Sequence, residues 1–306
     1  MKNKILRYVL GFFGILFLGI LALVTPDKSL EELAPKYLDG ASAFMTIDGL
    51  RIHYRDEGSG FPIVLIHGTG ASLHTWEDWT ASLKKNFRVI RLDLPAYGLT
   101  GKDQQKRYSS MDYVNLLDSL LTQLGLDEFY MAGNSLGGQV AWLYTSLYNA
   151  KVNRLILLNP SGFPFTSTPN IIALAKTPFF NLLARYVTPR FFVEQNLKEV
   201  YYDNNLIKDS TIDRYRDLTL FEGNREAFID RALIEREDNT RFLSKIDTPT
   251  LVLWGQEDEW IPVTDGKKFE KAIRGSTLVV MPETGHIPME ERPAESLAIV
   301  LDFLLN

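Results

Sequence analysis

Residues 129–140, FYMAGNSLGGQV, constrain the fold of this chain more than any other stretch. The first four residues are apolar and suit a buried strand, while residues 139–148 have the composition of a helix. Between them, GNSLG at residues 133–137 fits the G-x-S-x-G pattern of a sharp strand-to-helix turn. Glycines two residues before and after the serine leave room for neighbouring backbone, and the turn raises the hydroxyl clear of the sheet. We therefore expect Ser135 at a strained elbow.

Strand-like and helix-like patterns alternate on both sides of this turn. Strands are expected at residues 44–47, 50–56, 62–66, 89–94, 154–158, 250–253 and 277–281, and helices at 73–85, 113–124, 264–273 and 293–305. The first two strands are joined at Asp48-Gly49, a strong hairpin turn. Such alternation indicates an α/β fold, with a mostly parallel sheet flanked by helices.

The alternation stops at residues 163–246, where helical pieces are interrupted by prolines. We expect a helical cap there, inserted into a core of residues 43–162 and 247–306. The first half of the cap is apolar, and it could pack on the core, line a substrate pocket or touch a bilayer. Position and composition favour a pocket wall that includes Ile172, Phe179 and Leu183. Arg185 and Arg190 could place a cation at its rim.

Residues 1–25 differ from the rest of the chain. Lys2, Lys4 and Arg7 precede residues 8–25, an uncharged run that is long enough to span a bilayer. We predict an uncleaved membrane anchor, with membrane contact through residues 5–25. A cleaved signal peptide is the competing interpretation, but residues 22–24 form a poor cleavage site. Basic residues before the span favour a folded domain on the non-cytoplasmic side, periplasmic or extracellular, after a juxtamembrane linker at residues 26–42.

Composition narrows the possible chemistry. The 306 residues include no cysteine, which excludes disulfides, thiolate metal sites and a cysteine nucleophile. A net charge of −5 provides no basic surface for nucleic acid. Neither a metal nor another cofactor is expected. Only four histidines occur, His53, His67, His74 and His286, so few residues can act as an imidazole general base.

Two further polar groups are expected at the same edge of the sheet as the elbow. Asp258 follows the strand at 250–253, and His286 follows the strand at 277–281. Open α/β sheets place their sites along the carboxyl ends of the strands. An imidazole can take the proton of Ser135 during attack and return it to the leaving group, while a carboxylate orients the imidazole. We predict Ser135, Asp258 and His286 as the catalytic residues.

The acid of this set has rivals in the sequence. Glu257 and Glu259 flank Asp258 in the same loop. Asn159 ends the strand at 154–158, which is another position where such an acid can stand, but its side chain is an amide. Asp258 is therefore favoured over the alternatives.

A glycine-flanked loop, HGTG at residues 67–70, follows the strand at 62–66. The backbone amides of Thr69 and Leu136 are predicted to form an oxyanion hole, since one donor of such a site follows the nucleophile and the other comes from a loop of this kind. His67 is expected to organise this loop. His53 and His74 are expected to be structural.

These motifs resemble those of the α/β-hydrolase superfamily over residues 43–306. The matching pieces are HGTG at 67–70, DLPAYG at 93–98, GNSLG at 133–137, GQED at 255–258 with Pro262, and GH at 285–286. One departure is Ala96, where the family usually has glycine. The resemblance implies an α/β-hydrolase fold with a helical cap, and the activity of an esterase, a lipase or a carbon–carbon bond hydrolase. A serine at the elbow, where relatives that open epoxides or remove halides have aspartate, argues against those two reactions.

The sequence thus predicts a serine hydrolase of small-molecule carboxylic esters. We expect short-to-medium acyl or aromatic esters to be preferred over charged substrates, because the expected pocket wall is apolar. The nearest alternative is hydrolysis of a carbon–carbon bond in a diketone-like substrate. A catalytically inactive binding protein with the same fold is the alternative outside enzymes, although no member of the predicted catalytic set is missing.

Overall fold

The computed structural model describes residues 7–8, 10–11, 19, 23–164, 168–235 and 237–306. The predicted membrane anchor, with its contact through residues 5–25, lies mostly outside these residues. Within the described ranges, no helix is both long and apolar enough to cross a membrane. The anchor therefore stays a prediction.

The described residues form one eight-stranded sheet in the order β1-β2-β4-β3-β5-β6-β7-β8. The strands are β1 (Ser42–Ile47), β2 (Leu50–Glu57), β3 (Phe61–Ile66), β4 (Phe87–Leu92), β5 (Phe129–Asn134), β6 (Val152–Leu158), β7 (Thr250–Gly255) and β8 (Thr277–Met281). β2 pairs antiparallel with β1 and with β4, and every other pairing in the sheet is parallel. This sheet confirms the α/β prediction.

Helices cover the sheet and fill the insertion between β6 and β7. They are α1 (Leu30–Tyr37), α2 (Glu77–Leu83), α3 (Ser110–Gln123), α4 (Leu136–Leu147), α5 (Asn170–Lys176), α6 (Pro178–Ala184), α7 (Arg190–Val200), α8 (Asp209–Thr219), α9 (Asn224–Leu233), α10 (Val263–Ala272), α11 (Pro288–Glu291) and α12 (Pro293–Leu305). All six residues of β7 and the last four of β3 are buried, as expected for parallel strands with both faces covered.

The strand order brings the predicted site residues to one edge. β5, β6, β7 and β8 are consecutive parallel neighbours, so their carboxyl ends lie side by side. Ser135, Asn159, Asp258 and His286 each follow the end of one of these strands. Parallel pairing thus gathers residues that are up to 151 positions apart, the separation from Ser135 to His286 (286 − 135).

The insertion between β6 and β7 is helical, with α5 to α9 in the described residues. Its two halves pack differently. Leu197 and Val200 of α7, and Ile212 of α8, are buried in the main core cluster. By contrast α6 contains no buried residue. The cap therefore has a packed part and an exposed part.

The predicted linker at residues 26–42 includes a docked helix. Ser29 caps α1 in a capping box with Glu32, and Leu33 is buried in a small cluster with residues of the core and cap. Lys28 Nζ lies 2.5 Å from the Asp217 carboxylate in α8, and the Tyr37 hydroxyl donates to the same carboxylate at 2.9 Å. These tertiary partners, distant in sequence, stabilise a helix whose local signal is weak.

Ala96 occupies a backbone conformation that favours glycine. Its φ is 79°, and its amide donates to the carbonyl of Gly101 at 2.8 Å. The turn therefore closes with alanine in place of glycine. Gly98, two residues later, cannot be replaced by alanine without a shift of its surroundings, because an added Cβ would lie 2.0 Å from the Asp93 carboxyl carbon.

The elbow glycines lead to the first prediction. A Cβ on Gly137 would lie 2.2 Å from the carbonyl oxygen of Ile66, which belongs to a central strand and cannot move aside. We expect Gly137→Ala to lower the free energy of unfolding by about 3 kcal/mol, at the upper end for overpacked sites. Denaturant unfolding followed by circular dichroism measures this change.

Gly40→Ala is the matched control, because a Cβ on Gly40 meets no atom within 4 Å. We expect this variant to remain within about 0.5 kcal/mol of the parent. Equal stability of the two variants would show that the close approach at Gly137 is relieved by a small backbone shift.

Candidate active site

Ser135 stands at a strained turn between β5 and α4. Its φ is 53° and its ψ is −115°, a combination that L-residues rarely adopt. The surrounding structure holds it there: its amide donates to Leu158 at 3.1 Å, and its carbonyl accepts from Gln139 and Ser161. The residue is 5% exposed. The predicted elbow is thus present in the backbone.

Asp258 and His286 form a hydrogen-bonded pair. His286 Nδ1 lies 2.7 Å from Asp258 Oδ2, and both side chains are almost fully buried. Because a carboxylate can only accept, Nδ1 carries the hydrogen and Nε2 of the neutral ring is left as an acceptor. Within the described ranges, Nε2 has no hydrogen-bond partner.

The Asp258 carboxylate accepts from three further groups. Oδ1 accepts from the amides of Trp260 at 2.8 Å and Ile261 at 3.0 Å. Asn159 Nδ2 donates to Oδ2 at 2.6 Å. Four donors around one buried carboxylate set its orientation, and Asn159, the rival position in the sequence, acts as a donor to Asp258.

The two neighbouring glutamates point elsewhere. Glu257 Oε2 accepts from the Thr284 amide at 2.9 Å, so it stabilises the loop between β8 and α11. Glu259 is exposed. Of the three acids in this loop, the structure brings only Asp258 to His286.

Glu291 is a site residue that the sequence did not indicate. Its carboxylate accepts from Gly285 at 2.7 Å and from Tyr202 and Asp203 at the end of α7, and burial raises its pKa despite these donors. The His286 amide also donates to Val200 at 2.8 Å. The histidine loop is therefore fastened to the cap, and nothing in the local sequence around Glu291 signals this.

Asn134 ties the elbow to the same loop. Its Nδ2 donates to the carbonyl of His286 at 2.9 Å and to that of Leu158 at 3.1 Å. The residue is buried. Asn134 occupies the position directly before the serine, which the elbow pattern leaves unspecified. Its hydrogen bonds hold the serine turn beside the loop that carries His286.

Two adjoining cavities meet at Ser135. The first, which we name the histidine cavity, is lined by Asn134, Ser135, Leu197, Trp260 and His286 among others. The second, the cap cavity, is lined by Ser135, Gln139 and Ser161 of the core and by residues of α5 and α9. Thr69 borders both cavities. A substrate at Ser135 would therefore contact both core and cap.

Of the three predicted pocket residues, the structure brings one to the cap cavity. Ile172 lines it, whereas Phe179 is 66% exposed and Leu183 is not among its lining residues. α5 ends at Lys176 and a separate helix, α6, begins at Pro178, and no residue of α6 is buried.

The cations at the cap cavity also differ from those expected. Arg185 and Arg190 pair with carboxylates of other cap helices and do not line it. Lys176 and Arg231 line it instead. No carboxylate lies within ion-pair distance of Arg231 in the described part of the chain, and its Nε is buried without a partner. Its guanidinium lies beside the hydroxyls of Tyr97 and Tyr113, and Glu235 and Glu237 line the same cavity.

The predicted oxyanion donors lie beside the elbow serine. Within the described residues, the amides of Thr69 and Leu136 donate to no protein acceptor. Leu136 opens α4, where the first amides of a helix lack intrahelical partners. The HGTG loop is held by His67, whose Nε2 accepts from the Leu94 amide at 3.0 Å and whose Nδ1 lies 2.7 Å from the Gly68 carbonyl oxygen.

A buried carboxylate supports this loop from behind. Asp93 accepts from the Leu73 amide, the Leu99 amide and His53 Nδ1, each at 2.7–2.8 Å. Burial alone would raise its pKa, but the hydrogen bond and charge of His53 hold the pKa well below its usual range. His74 is buried beside this group, and desolvation lowers its pKa to about 3. No cluster of three or more metal-ligating side chains is found in the described ranges.

Comparison with known proteins places the chain in a family. Residues 62–293 match the family model described as the alpha/beta hydrolase fold. The chain belongs to this family. It is 29% identical over 269 residues to the uncharacterized hydrolase YugF of Bacillus subtilis, covering 85% of this chain and 96% of that protein. It is 28% identical over 266 residues to a 2-hydroxy-6-oxo-2,4-heptadienoate hydrolase of Pseudomonas putida, covering 84% and 93%.

A solved structure of a membrane phospholipase A, described as a bacterial virulence factor, is similar along nearly the whole chain. The TM-score is 0.75 at 25% identity, and the match covers 99% of this chain and 98% of the other. These relatives are hydrolases, and this chain is a hydrolase of the same family. The alternative of an inactive binding protein is therefore not favoured.

Two buried histidines near the active site are expected to make the stability of the protein depend on pH. Between about pH 6.5 and about pH 3 the unfolded chain binds a proton at His74 that the folded protein does not, so stability falls as the pH falls. His74 alone should cost about 1 kcal/mol per pH unit. Burial also lowers the pKa of His67, which adds a change of the same sign.

Urea unfolding at about pH 7.5 and about pH 5 measures this dependence. We expect His74→Gln to lose less stability between the two values than the parent does, whatever its stability at the higher value. Equal losses in parent and variant would mean that His74 is protonated in the folded protein.

Proposed function

We propose that the protein is a serine hydrolase that cleaves carboxylic esters through an acyl-enzyme. Ser135 is the nucleophile, His286 the general base and acid, and Asp258 the residue that orients His286. One observation carries the proposal: His286, oriented by Asp258 at 2.7 Å, lines the same cavity as Ser135 at the strained elbow.

The reaction follows from this arrangement. Nε2 of His286 takes the hydroxyl proton as Ser135 Oγ attacks the ester carbonyl carbon. The oxyanion that forms is bound by the amides of Thr69 and Leu136. His286 then donates its proton to the departing alcohol oxygen, which leaves an acyl group on Ser135. Water, deprotonated by His286, then attacks the acyl carbon. His286 returns the proton to Ser135 Oγ as the bond between Oγ and the acyl carbon breaks, which releases the carboxylic acid and restores the serine.

The surroundings of the site support an ester substrate held between core and cap. The cap cavity combines apolar groups such as Ile172 and Ile261 with the polar groups Gln139 and Ser161. The similarity to a membrane phospholipase A along 99% of the chain supports an ester hydrolase and also a membrane location. We propose that residues 5–25 anchor the protein, with the hydrolase on the non-cytoplasmic side, because basic residues precede the uncharged run.

Substitution of the three catalytic residues provides the test. We expect Ser135→Ala to lower ester hydrolysis by several orders of magnitude, as loss of a triad member does. Asp258→Asn should cost far more activity than Glu257→Gln, because only Asp258 contacts His286.

A fluorophosphonate probe provides the control for the nucleophile. It should label Ser135 in the parent and leave the Ser135→Ala variant unlabelled. Labelling of another serine in that variant, or an Asp258→Asn variant as active as Glu257→Gln, would contradict the assigned roles.

A second candidate is hydrolysis of a carbon–carbon bond in a carboxylate-bearing diketone. The relative from Pseudomonas putida is named as a hydrolase of such a compound. Arg231 favours this candidate, because it lines the cap cavity with no carboxylate partner in the described residues. Glu235 and Glu237 also line the cavity and weigh against an anion there.

Substitution of Arg231 distinguishes hydrolysis of neutral esters from hydrolysis of a carboxylate-bearing diketone. If a substrate carboxylate pairs with Arg231, Arg231→Met should raise KM for 2-hydroxy-6-oxo-2,4-heptadienoate about 10-fold to 100-fold, the worth of a charged hydrogen bond. Hydrolysis of neutral esters should change far less. Arg190→Met is the matched control, since Arg190 lies outside the cavity. An unchanged KM for the dienoate in Arg231→Met would exclude this pairing.

A further inference from the structure

The cap carries a patch of exposed apolar side chains, which we name the cap surface. It comprises Phe179, Phe180, Leu182, Tyr186, Phe191 and Phe192, each between 46% and 66% exposed. Single exposed apolar residues are ordinary, but six within 14 positions form a patch of the kind that marks an interaction site. Residues 177–193 also contain Arg185 and Arg190 and no acidic residue.

The four phenylalanine rings of the cap surface pack in two pairs. Phe191 and Phe192 stack with their centroids 4.6 Å apart, and Phe179 and Phe180 meet edge to face at 5.8 Å. In the described part of the chain, none of these four residues belongs to a buried core cluster. Burial of the cap surface therefore requires something outside the folded domain.

The N-terminal segment enters the fold at this same place. Val24 forms a β-bridge with Val187, and the Thr25 amide donates to the Tyr186 carbonyl at 2.8 Å. Leu23 and Val24 are themselves 47% and 45% exposed. Asp27 then pairs with Arg225 of α9, which fixes the entry point against the cap. The uncharged run of residues 8–25 thus leads directly to the cap surface.

We propose that the cap surface rests on the lipid bilayer that holds the N-terminal anchor. The inference depends on the anchor included in the proposed function. Helices that lie at a membrane surface bury Phe and Leu side chains at the boundary between headgroups and acyl chains, and five of the six residues of the cap surface are Phe or Leu. Arg185 and Arg190 of this stretch pair with carboxylates of α8 and α9, so the expected contact is made by apolar side chains.

This contact would bring the cavity close to membrane lipids. α5 contributes Ile172 and Lys176 to the cap cavity, and α6, which carries half of the cap surface, packs directly against α5. One helix therefore separates the bilayer contact from the cavity wall. The substrate class that follows is an ester with a long acyl chain that resides in the bilayer, in place of the short-to-medium acyl esters expected from the sequence. Such a molecule can enter without crossing water.

The absence of native cysteine allows a direct test on the full chain. Leu182→Cys and Phe191→Cys, each labelled with the fluorophore NBD, are reconstituted in vesicles of phosphatidylcholine and phosphatidylglycerol. Leu305→Cys is the matched control, because Leu305 is 74% exposed and belongs to the C-terminal helix α12, outside the cap. We expect a blue shift and quenching by nitroxide-labelled lipids at residues 182 and 191, and neither effect at residue 305.

Each other outcome has a defined meaning. Equal access of an aqueous quencher to all three labels would overturn the proposal. Protection from that quencher without quenching by lipid nitroxides would also overturn it, and cross-links between chains at residue 191 would then identify a second copy as the cover. Flotation of the vesicles reports the anchor separately, and labelling of Ser135 reports the proposed chemistry, so their failures are distinguishable from failure of the cap surface.

Activity provides a second readout. We expect the double variant Leu182→Ser/Phe191→Ser to lose about 10-fold in kcat/KM on a long-chain ester embedded in vesicles, because it dwells less at the interface. Its kcat/KM on a soluble short-chain ester should match that of the parent. Equal losses on both substrates would show a general effect on the fold and would contradict a bilayer contact.

Discussion

The structure depends on the close approach of backbone at the serine elbow. A Cβ at Gly133 would lie 2.2 Å from the carbonyl oxygen of Gly137, and one at Gly137 would lie 2.2 Å from that of Ile66. Strand β5, helix α4 and strand β3 can therefore meet only where side chains are absent. That contact forces Ser135 into its strained conformation and leaves the first amides of α4 beside its hydroxyl.

Buried polar contacts carry this local geometry to the rest of the site. Asn134 links the elbow to the His286 loop, and Asn159 links the end of β6 to Asp258. Glu291 fastens the same loop to the end of α7. Each of these groups is buried, so each hydrogen bond avoids a desolvation cost as well as setting a position. These contacts fix the position of the cap relative to the proposed catalytic residues.

The cap and the N-terminal segment form a second organising contact. Lys28 and Tyr37 converge on Asp217 of α8, while Asp27 pairs with Arg225 of α9. The segment that precedes the core is thus fixed to the helices that cover the active-site cavities.

The sequence by itself determined the alternation of strands and helices, the positions of Ser135 and His286, and the loop that carries the acid, because hydrophobic periodicity and turn chemistry are local properties. Only the tertiary structure decided between Asp258 and its neighbours, since side-chain direction in a loop is set by partners such as Asn159 that are distant in the chain. It also placed Phe179 on the surface and Arg231 at the cavity, because the break at Pro178 and the packing of α9 determine which cap residues face inward. The helix at residues 30–37 likewise depends on Asp217, a partner that no local pattern reveals.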